Sequence, residues 1–219
     1  MEMYDRVRHA NCRLLSNSFP LLFNPMQFYT LKVKDDNGNN LDAGVLRSGL
    51  QSIVEEARRN QPGFVGLLTS DHRDNWNKAY NVLLQEDKAS LDEIQGALFL
   101  LCLDESLDSN DDDVLTKTAL NSLHGLGSDA NGHNRWYDKA LQFIVARSGE
   151  VSICNEHSFA EAVPTMNIAD FVMDQLKDWS GASLPISTVT PPSVRAVLFK
   201  TDPGSLRDMS ETASSTLDA

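Results

Sequence analysis

The stretch LQFIVARSGEVSICNEHSFAEAVP, residues 141–164, carries the clearest structural and chemical pattern in the chain. Apolar and β-branched residues fill two short runs, 141–145 and 151–155, on either side of ARSGE. Two such runs around a glycine-bearing turn are typical of an antiparallel β-hairpin, so we predict a hairpin that turns near Gly149. Because His157 follows directly on the second strand, we expect its imidazole to be exposed at a sheet margin.

Strand and helix patterns alternate in the sequence before this hairpin. Residues 26–33 (MQFYTLKV) alternate apolar and polar positions and meet DDNGNN, which predicts a strand followed by a turn. Asp42 is a good N-cap for an amphipathic helix that PG then closes. Residues 64–68 predict a short buried strand, and Ser70 is expected to cap the next helix.

The central part of the chain predicts further helices. Ser90 and Glu93 form a capping box in front of IQGALFLLCL, which indicates a helix with a strongly apolar face. Residues 114–123 and 168–179 predict two more helices, whereas HGLGSDANGHN is expected to be irregular. Strands mixed with helices around one core predict an α/β fold, in which a mixed β-sheet is covered by helices.

We predict a domain boundary near residue 185. Residues 1–185 form the predicted domain, and residues 186–219 are assigned to a crossover segment and a tail. The stretch SLPISTVTPPSVRAVLF is extended and apolar in part, so it predicts either a strand or a crossover. The final DMSETASSTLDA is small, polar and acidic, and we expect it to be frayed or disordered.

Composition excludes several classes of function. A formal net charge of −12 over 219 residues argues against nucleic acid or an anionic membrane surface as a partner. No stretch approaches the roughly 20 apolar residues of a membrane span. The 3 cysteines contain no CxxC pair, and His124 and His133 lack a third ligand at metal-like spacing, so no metal site is predicted.

His157 allows two interpretations on the residues alone. A histidine beside a strand end is more often a surface or hydrogen-bonded structural residue than a catalyst. An imidazole is also the side chain that best takes up and returns a proton near neutral pH. Both interpretations are open at this point.

Three segments, in this order, resemble the choline/carnitine acyltransferases. They are GLLTSDHRDNWNKAYNVLL (residues 66–84), GHNRWYDKALQFIVARSGE (132–150) and NEHSFAEAVP (155–164). The similarity extends over residues 27–179. Within the family, EH followed by AE and P is more similar to the carnitine acetyltransferase branch than to the choline, octanoyl or palmitoyl branches.

The resemblance implies two domains, each similar to chloramphenicol acetyltransferase, with the active-site tunnel between them. The chain matches most of the N-terminal domain, and the groups that bind coenzyme A and the carnitine carboxylate belong to the second. The implied substrates are carnitine and acyl-CoA, foremost acetyl-CoA, with no bound cofactor, and the implied partner is the missing second domain. A mitochondrial or peroxisomal location is expected from the family alone, because no targeting signal is readable.

The family motif also implies roles for individual residues. His157 matches the general base of direct acyl transfer, and Glu161 matches an acidic residue that pairs with an arginine of the second domain. Here we expect Glu161 to be unpaired and solvated. Arg135, Trp136 and Asp138 are expected to be structural, as an internal Arg–Asp ion pair under an aromatic lid. The predicted function is carnitine O-acetyltransferase, incomplete in this chain; the alternative is a truncated, inactive binding protein.

Overall fold

One mixed sheet of six strands organises the part of the chain that the computed structural model describes, residues 18–23, 27–57, 63–107, 113–158, 161–177 and 194–219. The strands are β1 (Ser18–Phe23), β2 (Gln27–Lys32), β3 (Leu100–Asp104), β4 (Gln142–Ala146), β5 (Val151–Cys154) and β6 (Val194–Val197). Their order across the sheet is β5-β4-β3-β1-β2-β6. The central strands β1, β3 and β4 are parallel, whereas β2 and β5 pair antiparallel to them and β6 pairs antiparallel to β2.

Helices cover this sheet and confirm the predicted α/β class. They are α1 (Ala43–Ala57), α2 (Val65–Leu68), α3 (Arg73–Glu86), α4 (Lys88–Gln95), α5 (Val114–His124), α6 (Ala162–Lys177) and α7 (Arg207–Leu217), with a 3-10 turn at Pro203–Leu206. None of the helices in the described ranges is long and apolar enough to cross a lipid bilayer.

Several local predictions are confirmed. Asp42 caps α1, since its Oδ1 accepts a hydrogen bond of 2.8 Å from the backbone N–H of Gly44. Strands β4 and β5 form the predicted hairpin, and Gly149 in its turn has φ +110°, a conformation that suits glycine because it has no Cβ. The predicted strand over residues 26–33 is β2, and the helix over residues 114–123 is α5.

The predicted strand over residues 64–68 is wrong, because Val65–Leu68 forms the helical turn α2. A short apolar run does not distinguish a buried strand from a buried helical turn. Tight packing accompanies the helical form, since a Cβ on Gly66 would lie 2.5 Å from the carbonyl oxygen of Arg135. Ser70 does not cap α3; its hydroxyl donates to the carbonyl of Leu67, and His72 is the N-cap instead.

The predicted helix over IQGALFLLCL is also wrong. Helix α4 begins at Lys88 and ends at Gln95, and Leu100–Asp104 is the central strand β3. A strand that is covered on both faces has a continuous apolar sequence without alternation, which resembles a buried helix in a periodicity analysis. Ser90 has another role, because its hydroxyl donates a 2.6 Å hydrogen bond to the carbonyl of Leu198.

The expected disordered tail is wrong for residues 207–217, which form helix α7. Met209 packs against the main core and Ala213 is fully buried, so a four-residue spacing places both on one helical face. The Thr216 hydroxyl donates a hydrogen bond of 3.1 Å to the Asp71 carboxylate. The Asp218 carboxylate accepts a hydrogen bond of 2.7 Å from the backbone N–H of Ser128. The average composition of this segment is polar, so composition did not reveal the apolar residues on one face of the helix. The boundary near residue 185 stays a prediction, and residues 178–193 lie outside the described ranges.

The core lies on both faces of the sheet. Tyr29 and Leu31 of β2 pack with Ile53 and Ala57 of α1 on one face. The other face holds the larger cluster, centred on Trp136. Its indole makes edge-to-face contacts at 5.6 Å with both Phe28 and Trp76.

A buried ion pair joins the end of β3 to the irregular segment before β4. Arg135 Nη1 and Nη2 donate to Asp104 Oδ1 and Oδ2 at 2.9 and 2.8 Å, and both side chains are 0% exposed. Asn121 and Asn134 donate two further hydrogen bonds, of 2.8 and 2.7 Å, to the same carboxylate. Burial by itself lowers the pKa of Arg135, but its hydrogen bonds to Asp104 and the attraction of nearby groups, Asp104 among them, together raise the pKa above its usual value. The guanidinium therefore stays charged inside the fold.

Replacing Arg135 with Met leaves the Asp104 carboxylate buried without its cation. We expect Arg135→Met to lower the free energy of unfolding by about 3–5 kcal/mol, measured by urea denaturation. Arg147→Met is the matched control, because Arg147 pairs with Glu105 at 3.7 Å on the surface and its loss should cost less than about 1 kcal/mol. Equal losses in the two variants would contradict the assignment.

A second pair of variants tests helix α7. Ala213→Asp introduces a charge at a fully buried position, so we expect a loss of about 3 kcal/mol or more. Ser215→Asp introduces the same charge at an exposed position of the same helix and should be nearly neutral. If the segment were disordered, thermal and urea unfolding would not distinguish the two substitutions.

Candidate functional site

His157 lies in the turn directly after β5, as the sequence predicts. Its side chain is 79% exposed, and Nε2 lies 3.8 Å from Oε2 of Glu161, which is 77% exposed. This separation is longer than a hydrogen bond but within the range of an ion pair. Glu161 is solvated as expected, but it is not unpaired when the ring is protonated. The imidazole is open to an approaching ligand.

Glu156 closes the turn that presents His157. Its Oε2 accepts a 2.9 Å hydrogen bond from the backbone N–H of Ser158 and a second from the Ser158 hydroxyl. Its other oxygen, Oε1, lies 3.8 Å from Nη2 of Arg73 at the start of α3. The sequence analysis missed Glu156 and Arg73, although both lie within the quoted family segments.

The predicted internal ion pair between Arg135 and Asp138 is wrong. Arg135 is bound to Asp104, whereas Asp138 accepts hydrogen bonds from Arg73 Nη1 and from the indole N–H of Trp76. Residues three apart face each other on a helix, but this segment consists of turns. The two side chains therefore extend to different neighbours.

Trp136 is part of the core rather than a lid over the histidine turn. It is 1% exposed, and its backbone N–H donates a 2.9 Å hydrogen bond to Oε1 of Gln142 in β4. Because Trp136 is fixed in this way, the residues on either side of it have defined positions. Arg135 is directed toward β3 and Asp138 toward α3.

A cleft of about 430 Å³ adjoins these residues. Its lining includes Arg73, Gln95, Leu98, Trp136, Asp138 and Ser158, the residue after His157. This volume is within the range of small-molecule sites, which combine apolar walls with a few polar groups.

Lys139 also lines the cleft and is mostly buried. Its Nζ donates to the carbonyl oxygens of Ile94 and Gln95 at 2.6 and 3.1 Å, at the end of α4. Burial lowers the pKa of Lys139 to about 8. The amine therefore serves as a C-terminal cap for α4 beside the cleft.

Within the described ranges, no group of three or more His, Cys, Asp or Glu side chains is arranged to hold a metal ion. Among the other histidines, His72 caps α3 by accepting from the N–H of Asp74, and His133 Nδ1 lies 3.0 Å from the carbonyl of Ser128. Both contacts are local and structural.

Comparison with known proteins shows the family of the chain. The family model described as Choline/Carnitine o-acyltransferase matches residues 3–219. The carnitine O-acetyltransferase of Homo sapiens is 38% identical over 154 residues, which cover 69% of this chain and 25% of that protein. The carnitine O-acetyltransferase of Columba livia is 34% identical over 174 residues, 78% of this chain and 28% of that protein.

Choline acetyltransferases are similar to the same degree. The choline O-acetyltransferase of Mus musculus is 35% identical over 182 residues, 81% of this chain and 28% of that protein. The chain thus spans about a quarter of the length of these relatives. The extent of the family match and these identities show that the chain belongs to the choline/carnitine O-acyltransferase family.

Proposed function

We propose that this chain supplies the catalytic base, His157, of a carnitine O-acetyltransferase, which transfers an acetyl or short acyl group reversibly between coenzyme A and carnitine. The observation that carries the proposal is the position of His157, exposed on a closed turn at the margin of the sheet. A base that serves two substrates must be accessible to both, and the side chain of His157 is exposed.

The proposed chemistry is a direct transfer. The imidazole takes the proton from the carnitine hydroxyl while that oxygen attacks the thioester carbonyl carbon of acetyl-CoA. The C–S bond then breaks, and the imidazolium returns the proton to the coenzyme A thiolate. One histidine can serve both directions of the reaction, because in each direction it moves one proton between the carnitine oxygen and the coenzyme A sulfur.

Glu161 is the proposed supporting residue. A carboxylate 3.8 Å from Nε2 can attract the positive charge that the ring carries after it has taken the hydroxyl proton. Solvent screens this interaction strongly in the described part of the chain, since both side chains are more than three quarters exposed. Its contribution would increase if a second domain excluded water from the site.

A second domain is the proposed partner, either in the same protein or as another polypeptide. Helix α6, which follows the histidine turn, has no buried residue in the described ranges. Its exposed apolar side chains are Val163, Met166, Ile168, Phe171, Val172, Met173 and Leu176. An apolar surface of this kind is rarely left open in a soluble monomer, which supports a covering partner.

We expect the 219-residue chain alone to transfer acetyl groups at less than about a thousandth of the rate of a full-length relative, because a base without substrate positioning lacks the proximity and electrostatic contributions to catalysis. The measurement is thiol release from acetyl-CoA in the presence of carnitine. Turnover near that of a full-length relative would contradict the expectation that this chain is incomplete.

The base is tested by complementation. The chain is mixed with the remaining segment of the human carnitine O-acetyltransferase, and thiol release is followed with carnitine as acceptor. We expect turnover with the unmodified chain and with Arg147→Met, which removes an exposed side chain in the hairpin turn, but at least about 100-fold less with His157→Ala. Full activity of the His157→Ala complex would exclude His157 as the base.

Choline is the second candidate acceptor. The choline acetyltransferases match this chain at identities of 34–38%, beside 34–38% for the carnitine acetyltransferases. Both acceptors present a hydroxyl to the same base, so the proposed role of His157 is unchanged. Thiol release with each acceptor, by the natural full-length protein, distinguishes the two.

The alternative function is a truncated, inactive relative that acts by association, and the apolar surface of α6 favours it. We expect the isolated chain to self-associate, as measured by analytical ultracentrifugation, and Phe171→Asp to reduce this. Leu115→Asp is the control, because Leu115 is also an exposed apolar side chain, 86% exposed, but belongs to α5. If the unmodified chain stayed monomeric at high concentration, this result would argue against α6 as a surface for association.

We also propose a mitochondrial or peroxisomal location, which rests on the family resemblance alone. Imaging of the natural full-length gene product beside markers of the two organelles tests it. A diffuse cytosolic signal would overturn this proposal.

A further inference from the structure

We propose that Arg73 is a positioning residue for the catalytic base, because it joins the aromatic core to the turn that presents His157. The inference rests on the proposed function, in which His157 transfers protons. Its structural part, that Arg73 orders this turn, is independent of that function and can be measured without turnover. Neither Arg73 nor Glu156 contacts the imidazole in the described hydrogen bonds and ion pairs, so both act through the backbone of the turn.

The carboxylate of Asp138 accepts hydrogen bonds from two donors, one on each oxygen. Asp138 Oδ2 accepts a hydrogen bond from the indole N–H of Trp76, whose ring is 4% exposed and packs edge-to-face on Trp136. Asp138 Oδ1 accepts from Nη1 of Arg73. Because one oxygen is attached to a core indole, the other has a defined direction. Asp138 therefore orients the guanidinium from beneath.

The guanidinium of Arg73 contacts two different carboxylates with its two terminal nitrogens. Nη1 of Arg73 binds Asp138, and Nη2 lies 3.8 Å from Oε1 of Glu156. Arg73 is 61% exposed, whereas Asp138 and Glu156 are only 26% and 19% exposed. One cation thus holds two partly desolvated carboxylates that belong to different segments of the chain.

Glu156 is linked to His157 through the backbone of the turn. Glu156 Oε2 accepts from the backbone N–H of Ser158, at 2.9 Å, and from the Ser158 hydroxyl. His157 lies between these two residues, so the carboxylate closes a loop around its backbone. A fixed Glu156 limits the backbone conformations of His157, and so limits the directions in which the imidazole extends.

The chemistry of the side chain explains why an arginine occupies this position. A guanidinium presents separate N–H groups in a rigid plane, so it can contact two carboxylates at once. A lysine presents one ammonium on a flexible stem and would hold one acid well or both poorly. Arg73→Lys should therefore retain only part of the effect, which is a graded test of the bridge.

The direct test is NMR relaxation of the 219-residue chain labelled with ¹⁵N-histidine. The chain has 5 histidines, and the amide signal of His157 is the one that disappears in His157→Gln. We expect its order parameter to fall from about 0.85 toward 0.6 in Arg73→Met, with an intermediate value in Arg73→Lys. Lys78→Met is the matched control, since Lys78 is an exposed cation of the same helix that bonds to Asn75, and it should change nothing.

Glu156→Gln provides a second, milder variant in case Arg73→Met unfolds the chain. The amide can still accept from Ser158 but lacks the charge that faces Arg73, so we expect the His157 order parameter to fall as in Arg73→Met. Unchanged values in Arg73→Lys and Glu156→Gln, or an equal fall in Lys78→Met, would overturn the inference.

Activity separates this inference from the proposed function. In the complemented enzyme we expect Arg73→Met and Glu156→Gln to lower kcat about 10- to 100-fold with little change in KM, because a misplaced base slows the reaction without weakening binding. A loss of order at His157 in Arg73→Met, together with full turnover of the His157→Ala complex, would contradict the proposed function and support the ordering role of Arg73. Turnover that depends on His157 but not on Arg73 would overturn the positioning role alone.

Discussion

The buried ion pair between Asp104 and Arg135 is the interaction on which the rest of the site depends. It joins the last residue of the central strand β3 to an irregular segment that has no regular hydrogen-bond ladder of its own. Together with the hydrogen bond from the backbone N–H of Trp136 to Gln142, this attachment fixes the path of the segment. A buried charge pair is costly to desolvate, but removal of either partner costs more, so the bidentate pair specifies one arrangement strongly.

The positions that follow Arg135 along the chain extend this constraint to the surface. Trp136 enters the core between Phe28 and Trp76, and Asp138 then meets the indole N–H of Trp76 and the guanidinium of Arg73. Hydrogen bonds, aromatic packing and the 3.8 Å ion pair between Arg73 and Glu156 therefore connect the middle of the sheet to the histidine turn. An exposed side chain such as that of His157 can be ordered in this way without being buried itself.

The surroundings of His157 differ on its two sides. Toward α3, the turn is held by Glu156 and Arg73 and adjoins the cleft. Toward α6, the chain presents Val163, Met166, Phe171 and Met173 to solvent. The described residues therefore hold the turn on one side of His157 and leave apolar side chains exposed on the other.

The sequence by itself determined the local elements whose signals are local: the capped helix α1, strand β2, the hairpin with its turn at Gly149, the exposure of His157 and the family motifs. Only the tertiary structure decided that IQGALFLLCL contributes the strand β3, that the polar tail is helix α7, and which acid binds which arginine. The physical reason is separation along the chain. Periodicity, caps and turns act between residues a few positions apart, whereas Arg135 meets Asp104 across 31 positions and Arg73 meets Asp138 across 65. Such partners are selected by the packing of the whole fold.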